Sequence, residues 1–265
     1  MNFLQKLDKA INKNNSLLCV GLDPQIDKLP EQFKNEKYPL FAFNKYIIEQ
    51  THEFVSCFKP NAAFYEAHGS HGIVQLKLTF DLLKGSYGHI PTILDAKRAD
   101  IGNTNNGYVS FIFDYLQADA VTVHPYLGQE AIQPFLDCKD KGIIILCRTS
   151  NSGACEFQDL QIDGEPLYER IAKNVKEKWN TNDNCLLVVG ATYPQELKTL
   201  RTQMGEMTFL IPGIGAQGGK VADIMNAGLN SKKRGMIISA SRGVIYAKDP
   251  RAEAEKLQKE INSFR

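Results

Sequence analysis

The stretch from Ile93 to Thr104, ILDAKRADIGNT, carries the densest chemistry in the chain. At a strand end, Asp95 and Lys97 stand two residues apart and project to one side; Asp100 follows three residues on, where the chain turns into a loop. A lysine is thereby set between two carboxylates. Flanking anions favour the ammonium over the free amine, which suits an acid or a fixed cation better than a Schiff-base nucleophile. Such a group can stabilise a developing carbanion and then protonate it. In isolation, D-x-K-x-x-D also fits a plain ion-pair network at a strand end. Its place among the other strand ends decides for chemistry.

Two glycine-containing loops near the C-terminus suit an anion. IPGIGAQGG runs from Ile211 to Gly219 and SASRGVI from Ser239 to Ile245. Glycines let backbone N–H groups approach an anion closely, the helix after each loop adds its positive end, and Arg242 would add a charge-assisted contact. Glycines also serve tight turns, but the loops after the last two strands of a barrel are a frequent phosphate site. Lys59, in SCFKPN, ends the second strand and can reach substrate hydroxyls or pair with Asp23 or Asp95; the two roles are compatible. His124, in TVHPYLG, reads as a packing or rim residue and stays outside the chemistry. His52, His68, His71 and His89 are scattered without ligand spacing. The six cysteines show no CxxC pair and sit mostly in apolar runs, as reduced, buried thiols of a cytoplasmic protein do.

The elements that must position these groups recur along the whole chain. Short apolar runs cover Leu17 to Leu22, Val55 to Phe58, Thr92 to Leu94, Ala120 to Val123, Ile143 to Cys147, Leu186 to Val189, Thr208 to Ile211 and Met236 to Ile238. Between them lie helical periods such as Ile73, Leu76, Phe80 and Leu83, or Val221, Ile224 and Met225. Continuous rather than alternating hydrophobicity means that each strand is covered on both faces, as parallel strands with helical crossovers are. Eight such units predict a (β/α)8 TIM barrel, with residues 1–265 as one barrel domain; a doubly wound open sheet is the runner-up. In a barrel, the chemically loaded strand ends Asp23, Lys59, Asp95 with Lys97, His124, Arg148 to Ser150 and Arg242 would all gather on the C-terminal rim. The stretch Arg148 to Pro166 is polar and without helical period, and predicts a long binding loop.

Composition agrees with a small-molecule enzyme. The chain balances 31 Lys and Arg against 30 Asp and Glu, so its formal charge of +1 gives no sign of a nucleic acid or anionic membrane partner. Its apolar runs fall far short of a membrane span, and the first residues, MNFLQKLDKAINKNN, pattern as an amphipathic helix rather than a secretory signal. Cytoplasmic localisation is expected.

These motifs together resemble the orotidine 5'-phosphate decarboxylases, in particular a bacterial subgroup whose active-site signature reads much like DAKRADIGNT. The likeness spans nearly the whole chain: GLDP at the first strand, FKPN at the second, DAKRADIGNT at the third, TVHPYLG at the fourth, RTSN at the fifth, PGIGAQGG at the seventh and SRGVIYA at the eighth. The resemblance implies decarboxylation of orotidine 5'-monophosphate to uridine 5'-monophosphate, the last step of UMP biosynthesis, without cofactor or metal. It implies Lys97 as proton donor to carbon 6 of the pyrimidine, with Asp95 and Asp100 completing a charged array. Asp100 and Thr104 would come from the neighbouring subunit of a homodimer. Asp23 and Lys59 would contact the ribose, Ser150 the pyrimidine, and Gln217, Gly218, Gly219 and Arg242 the phosphate. Two alternatives share part of this pattern: a magnesium-dependent sugar-phosphate decarboxylase or synthase of the same superfamily, and a non-catalytic phosphonucleotide-binding protein.

Overall fold

Each of the eight apolar runs forms a strand in the computed structural model, which describes residues 1–214 and 218–265. The strands are β1 (Leu18–Leu22), β2 (Cys57–Pro60), β3 (Ile93–Arg98), β4 (Ala120–Val123), β5 (Gly142–Arg148), β6 (Cys185–Val189), β7 (Phe209–Pro212) and β8 (Met236–Ala240). They form one sheet in the order β2-β1-β8-β7-β6-β5-β4-β3, every neighbouring pair parallel. Isolated parallel bridges, Phe58 to Thr92 and Asn61 to Asp95, bring the sheet's outer strands β2 and β3 together into a barrel.

Several strands run further toward the C-terminal rim than their apolar stretches. β2 continues through Lys59 and Pro60, β3 through Asp95 to Arg98, and β8 through Ser239 and Ala240. Backbone pairing persists there while the side chains change from core to chemistry. Crossover helices follow, including Pro39–Thr51 after β1, Gly69–Ser86 after β2 and Gly102–Val109 after β3. Their apolar stripes bury against the sheet, with Leu76, Phe80 and Leu83 at most 2% exposed.

The opposite end of the barrel is closed by the first helix, Phe3–Asn14, which starts with a capping box between Asn2 and Gln5. Its Phe3 ring lies where a Cβ on Gly142 would approach within 2.4 Å, and Lys6 pairs with Asp119 at 2.7 Å just before β4. The polar strand ends Lys59, Asp95 and Ser239 lie at the other, C-terminal rim.

Candidate active site

The local geometry of β3 departs from a regular strand at the residues that matter. Leu94 pairs with Val121 and Arg98 with Val123, so three residues, Asp95 to Lys97, face the single residue Thr122. Such a bulge re-aims side chains, and bulges are over-represented beside active sites. Lys97 takes φ 47°, the left-handed region that non-glycine residues seldom enter. Asp95 and Lys97 do come together, as their spacing predicts, but through this bulge rather than through strand alternation.

Around the bulge stands a line of alternating charge. Asp95 accepts from Lys97 Nζ at 2.7 Å on Oδ1 and from Lys59 Nζ at 3.2 Å on Oδ2. Thr122 Oγ1 donates to the same Oδ1 at 2.8 Å. The Lys59 and Asp95 side chains are only 6% and 12% exposed, whereas Lys97 is half exposed, so its ammonium is the one presented to solvent and ligand. Burial works against the Lys59 ammonium, but the carboxylates of Asp95 and then Asp23 outweigh it and raise its pKa. Burial likewise favours the neutral acid at Asp95, yet the charges of Lys59 and Lys97, with hydrogen bonds from Lys97 and Thr122, hold it well below the usual carboxylate range. The buried pair is therefore charged at neutral pH.

A cavity of about 580 Å³ opens over this array. Of the residues expected from sequence, Asp23, Lys59, Asp95, Lys97, Ser150 and Arg242 line it, together with the apolar wall of Leu146, Val188, Leu210 and Ile214. Among the described residues, Oδ1 of Asp23 is buried without a hydrogen-bond partner, an acceptor suited to a ligand hydroxyl. A separate cavity of about 840 Å³, bordered by Lys28, Tyr46 and Lys248, shares only Arg242 with it and lacks the lysine–aspartate array.

Other expected residues stand elsewhere. Asp100 is half-buried in the loop after β3, its Oδ1 accepting from the Ile101 amide at 2.7 Å and its own amide donating to Asn105 at 2.9 Å; it does not line the cavity. Thr104 is exposed on the following helix. Within one chain, then, a carboxylate sits between two ammonium groups, rather than the lysine between two carboxylates. Gly218 is exposed with φ 89°, and the Gly219 amide donates to the Gly213 carbonyl at 3.1 Å, so that N–H is engaged within its own loop. Gln217 lies outside the described residues. His124 contacts the Ala99 carbonyl at 3.2 Å, a rim role as expected. Cys155 is exposed and Cys138 half-buried, against the expectation that all thiols are buried; Cys19, Cys57, Cys147 and Cys185 are buried.

Sequence reasoning missed Thr122, Asn61 and Gln158 and misplaced Arg148. Thr122 and Asn61 line the cavity. Arg148, read as a rim group, is instead 1% exposed: its guanidinium pairs with Asp159 at 3.0 Å and stacks 3.8 Å from the Tyr193 ring. Gln158 accepts from the Thr149 amide and donates to its hydroxyl, both at 2.8 Å, tying the far side of the loop to the strand end beside Ser150. That loop is not irregular throughout. It holds a 3-10 turn at Ser152–Glu156 and a hairpin pairing Gln161–Ile162 with Glu165–Pro166. At its tip Asp163 and Gly164 both have positive φ, 55° and 80°, the signature of Asp-Gly hairpin turns.

Comparison with known proteins agrees with this geometry. A family model described as orotidine 5'-phosphate decarboxylase / HUMPS family matches residues 16–257. The orotidine 5'-phosphate decarboxylase of Cellvibrio japonicus is 47% identical over 274 aligned positions that cover all of both chains. The solved structure of Leishmania donovani OMP decarboxylase superposes with a TM-score of 0.90 at 39% identity, covering 100% of this chain and 99% of that one. Leishmania donovani UMP synthase gives a TM-score of 0.91 at 40% identity; there the match covers 100% of this chain but 56% of the other. A barrel of eight parallel strands, a lysine–aspartate array on its C-terminal rim and matches of this extent place the chain in the orotidine 5'-phosphate decarboxylase / HUMPS family.

Proposed function

We propose that this chain decarboxylates orotidine 5'-monophosphate to uridine 5'-monophosphate in pyrimidine biosynthesis, with Lys97 as the proton donor. The carrying observation is the Lys59–Asp95–Lys97 array in a cavity that also reaches Arg242. As the bond between carbon 6 and the carboxylate breaks, its electron pair stays on carbon 6, in an orbital the ring cannot delocalise well. A cation already fixed beside that atom is the largest available stabiliser, because it needs no reorganisation as charge develops. Lys97 then transfers a proton to carbon 6, carbon dioxide leaves, and water reprotonates the amine. Fixed in charge by Lys59 and Asp95, the array pins Lys97 by a 2.7 Å ion pair while leaving its ammonium accessible.

The rest of the nucleotide has natural partners on the same walls. The unpartnered Oδ1 of Asp23 and the ammonium of Lys59 suit ribose hydroxyls, Ser150 the pyrimidine, and Arg242 the phosphate; Gln217 and the amides of Gly218 and Gly219 are assigned to the phosphate by the family resemblance alone. Asp100 and Thr104 act across a homodimer interface, facing Lys97 of the neighbouring subunit; their position outside their own chain's cavity supports this reading. So does the exposure of Ile101, Tyr126 and Leu127 on the neighbouring rim loops, 59%, 85% and 45%, which offers apolar surface for a partner. Among the described residues no helix is long and apolar enough to cross a membrane. We place the reaction in the cytoplasm, in keeping with six free thiols.

The test is turnover of orotidine 5'-monophosphate by purified protein, followed by absorbance before and after exhaustive chelation. Turnover unaffected by EDTA is expected. Loss with EDTA and recovery with magnesium would favour the sugar-phosphate relatives, and no turnover at all would favour a binding protein.

A further inference from the structure

The bulge in β3 raises a question of register: what replaces the backbone partners that three residues facing one must lose? Thr122 Oγ1 accepts from the amides of Ala96 and Lys97, each at 3.0 Å, and donates to Asp95 Oδ1 at 2.8 Å. A hydroxyl has one donor and two acceptor positions, so all of its capacity is used on three consecutive residues. It lies on the neighbouring strand and is 1% exposed, so water does not substitute for it.

We propose that Thr122 is a positioning residue for the decarboxylation, holding Lys97 in its left-handed backbone conformation and orienting the Asp95 carboxylate toward both lysines. This deepens the proposed role of Lys97 and rests on it. A lysine at φ 47° is strained and persists only where the surroundings over-determine it. The two amide bonds to one oxygen are the visible constraint at that point. Were they lost, the bulge could relax toward regular pairing, swinging the Lys97 side chain away from the Asp95 oxygen it now meets at 2.7 Å. Thr122 lines the cavity floor beside Asp95 but is not among the groups assigned to the ribose, pyrimidine or phosphate, so binding through Asp23, Ser150 and Arg242 should be spared while the chemical step suffers.

The experiment compares Thr122→Val, of nearly the same shape but without the hydroxyl, with Thr122→Ser, which keeps it, reading kcat, KM and the affinity for uridine 5'-monophosphate. Displacing a reacting group by about 1 Å costs on the order of 100-fold. Thr122→Val should therefore lose about 10- to 100-fold in kcat, with product affinity changed less than threefold, and Thr122→Ser should recover most of the rate. If Thr122→Val does not fold, Thr122→Ala takes its place with the same outcomes. A kcat for the hydroxyl-free variant within threefold of wild type, a serine variant as slow as valine, or product affinity falling in step with kcat would each overturn the proposal. Lys97→Ala in the same series separates the two readings: if it remains active, the role of Lys97 fails, whatever Thr122 does.

Discussion

Replacing Asp95 by asparagine tests the electrostatic architecture without changing its shape. In the native chain the Asp95 carboxylate lies 2.7 Å from Lys97 and 3.2 Å from Lys59, and the Lys59 side chain is only 6% exposed. The asparagine side chain could still accept one hydrogen bond, but the Lys59 ammonium would keep only Asp23 as a nearby carboxylate. Breaking a buried pair by removing one partner typically costs about 3–5 kcal/mol; Lys97, half exposed, adds little because solvent screens it. At ~2–4 °C per kcal/mol for a chain approaching this size, the melting temperature should fall by ~6–20 °C.

The pH dependence of that difference has a definite sign. Asp95 is depressed in the fold, so its contribution is present above the unfolded carboxylate value of ~3.9 and is lost as pH falls through the folded value. Lys59 is raised, so its contribution is full below ~10.4 and is lost as pH rises through the folded value. The gap between wild type and Asp95→Asn should therefore be widest between these limits and narrow toward both. Thermal denaturation monitored by circular dichroism across that range is the assay. A variant that melts within ~3 °C of wild type at pH 7 would show that the buried pair does not hold the rim together as described.

Three further outcomes follow from the placement of single residues. Arg242→Ala should lower kcat/KM on the nucleotide by roughly 10- to 150-fold, the equivalent of the ~1.5–3 kcal/mol of one charged hydrogen bond. It should barely affect the nucleoside lacking phosphate; an equal loss on both would place Arg242 away from the phosphate. Arg148→Lys, which keeps the charge but neither the fork to Asp159 nor the stack on Tyr193, should loosen the Ser150 loop and show as faster proteolysis between Thr149 and Pro166. Lys97→Ala and Asp100→Ala, each nearly inactive alone, should regain about a quarter of wild-type activity when unfolded, mixed equally and refolded, since half the dimers are mixed and each has one intact site. No recovery despite demonstrated mixed dimers would confine Asp100 to its own chain.

The barrel was legible because parallel strands buried on both faces leave unbroken apolar runs, and β4, Ala120–Val123, was read with the bounds it has. Strand ends were harder: β3 reads as ending at Leu94 because Asp95, Lys97 and Arg98 are polar, while its pairing runs on to Arg98. Gathering Asp23, Lys59, Asp95, Lys97, Ser150 and Arg242 needed only the rule that strand ends share a rim. The Thr122 contact was not readable, because register between strands is not a local property and a threonine in AVTV looks like any β-branched strand residue. Arg148 was misplaced for the opposite reason: a charge at a strand end suggests the rim, and only the distant Asp159 and Tyr193 make its burial possible. The Asp163-Gly164 pair was a hairpin signal inside a stretch otherwise read as irregular.

The central claim is that Lys97 supplies the proton, and the most direct measurement of it is turnover of orotidine 5'-monophosphate by Lys97→Ala prepared in a host lacking its own enzyme, beside calorimetric binding of uridine 5'-monophosphate to the same variant. Turnover at the detection limit with product binding largely retained is the predicted result, since the ribose and phosphate contacts lie on other walls of the cavity. A variant that keeps more than a small fraction of wild-type turnover would contradict the assignment outright.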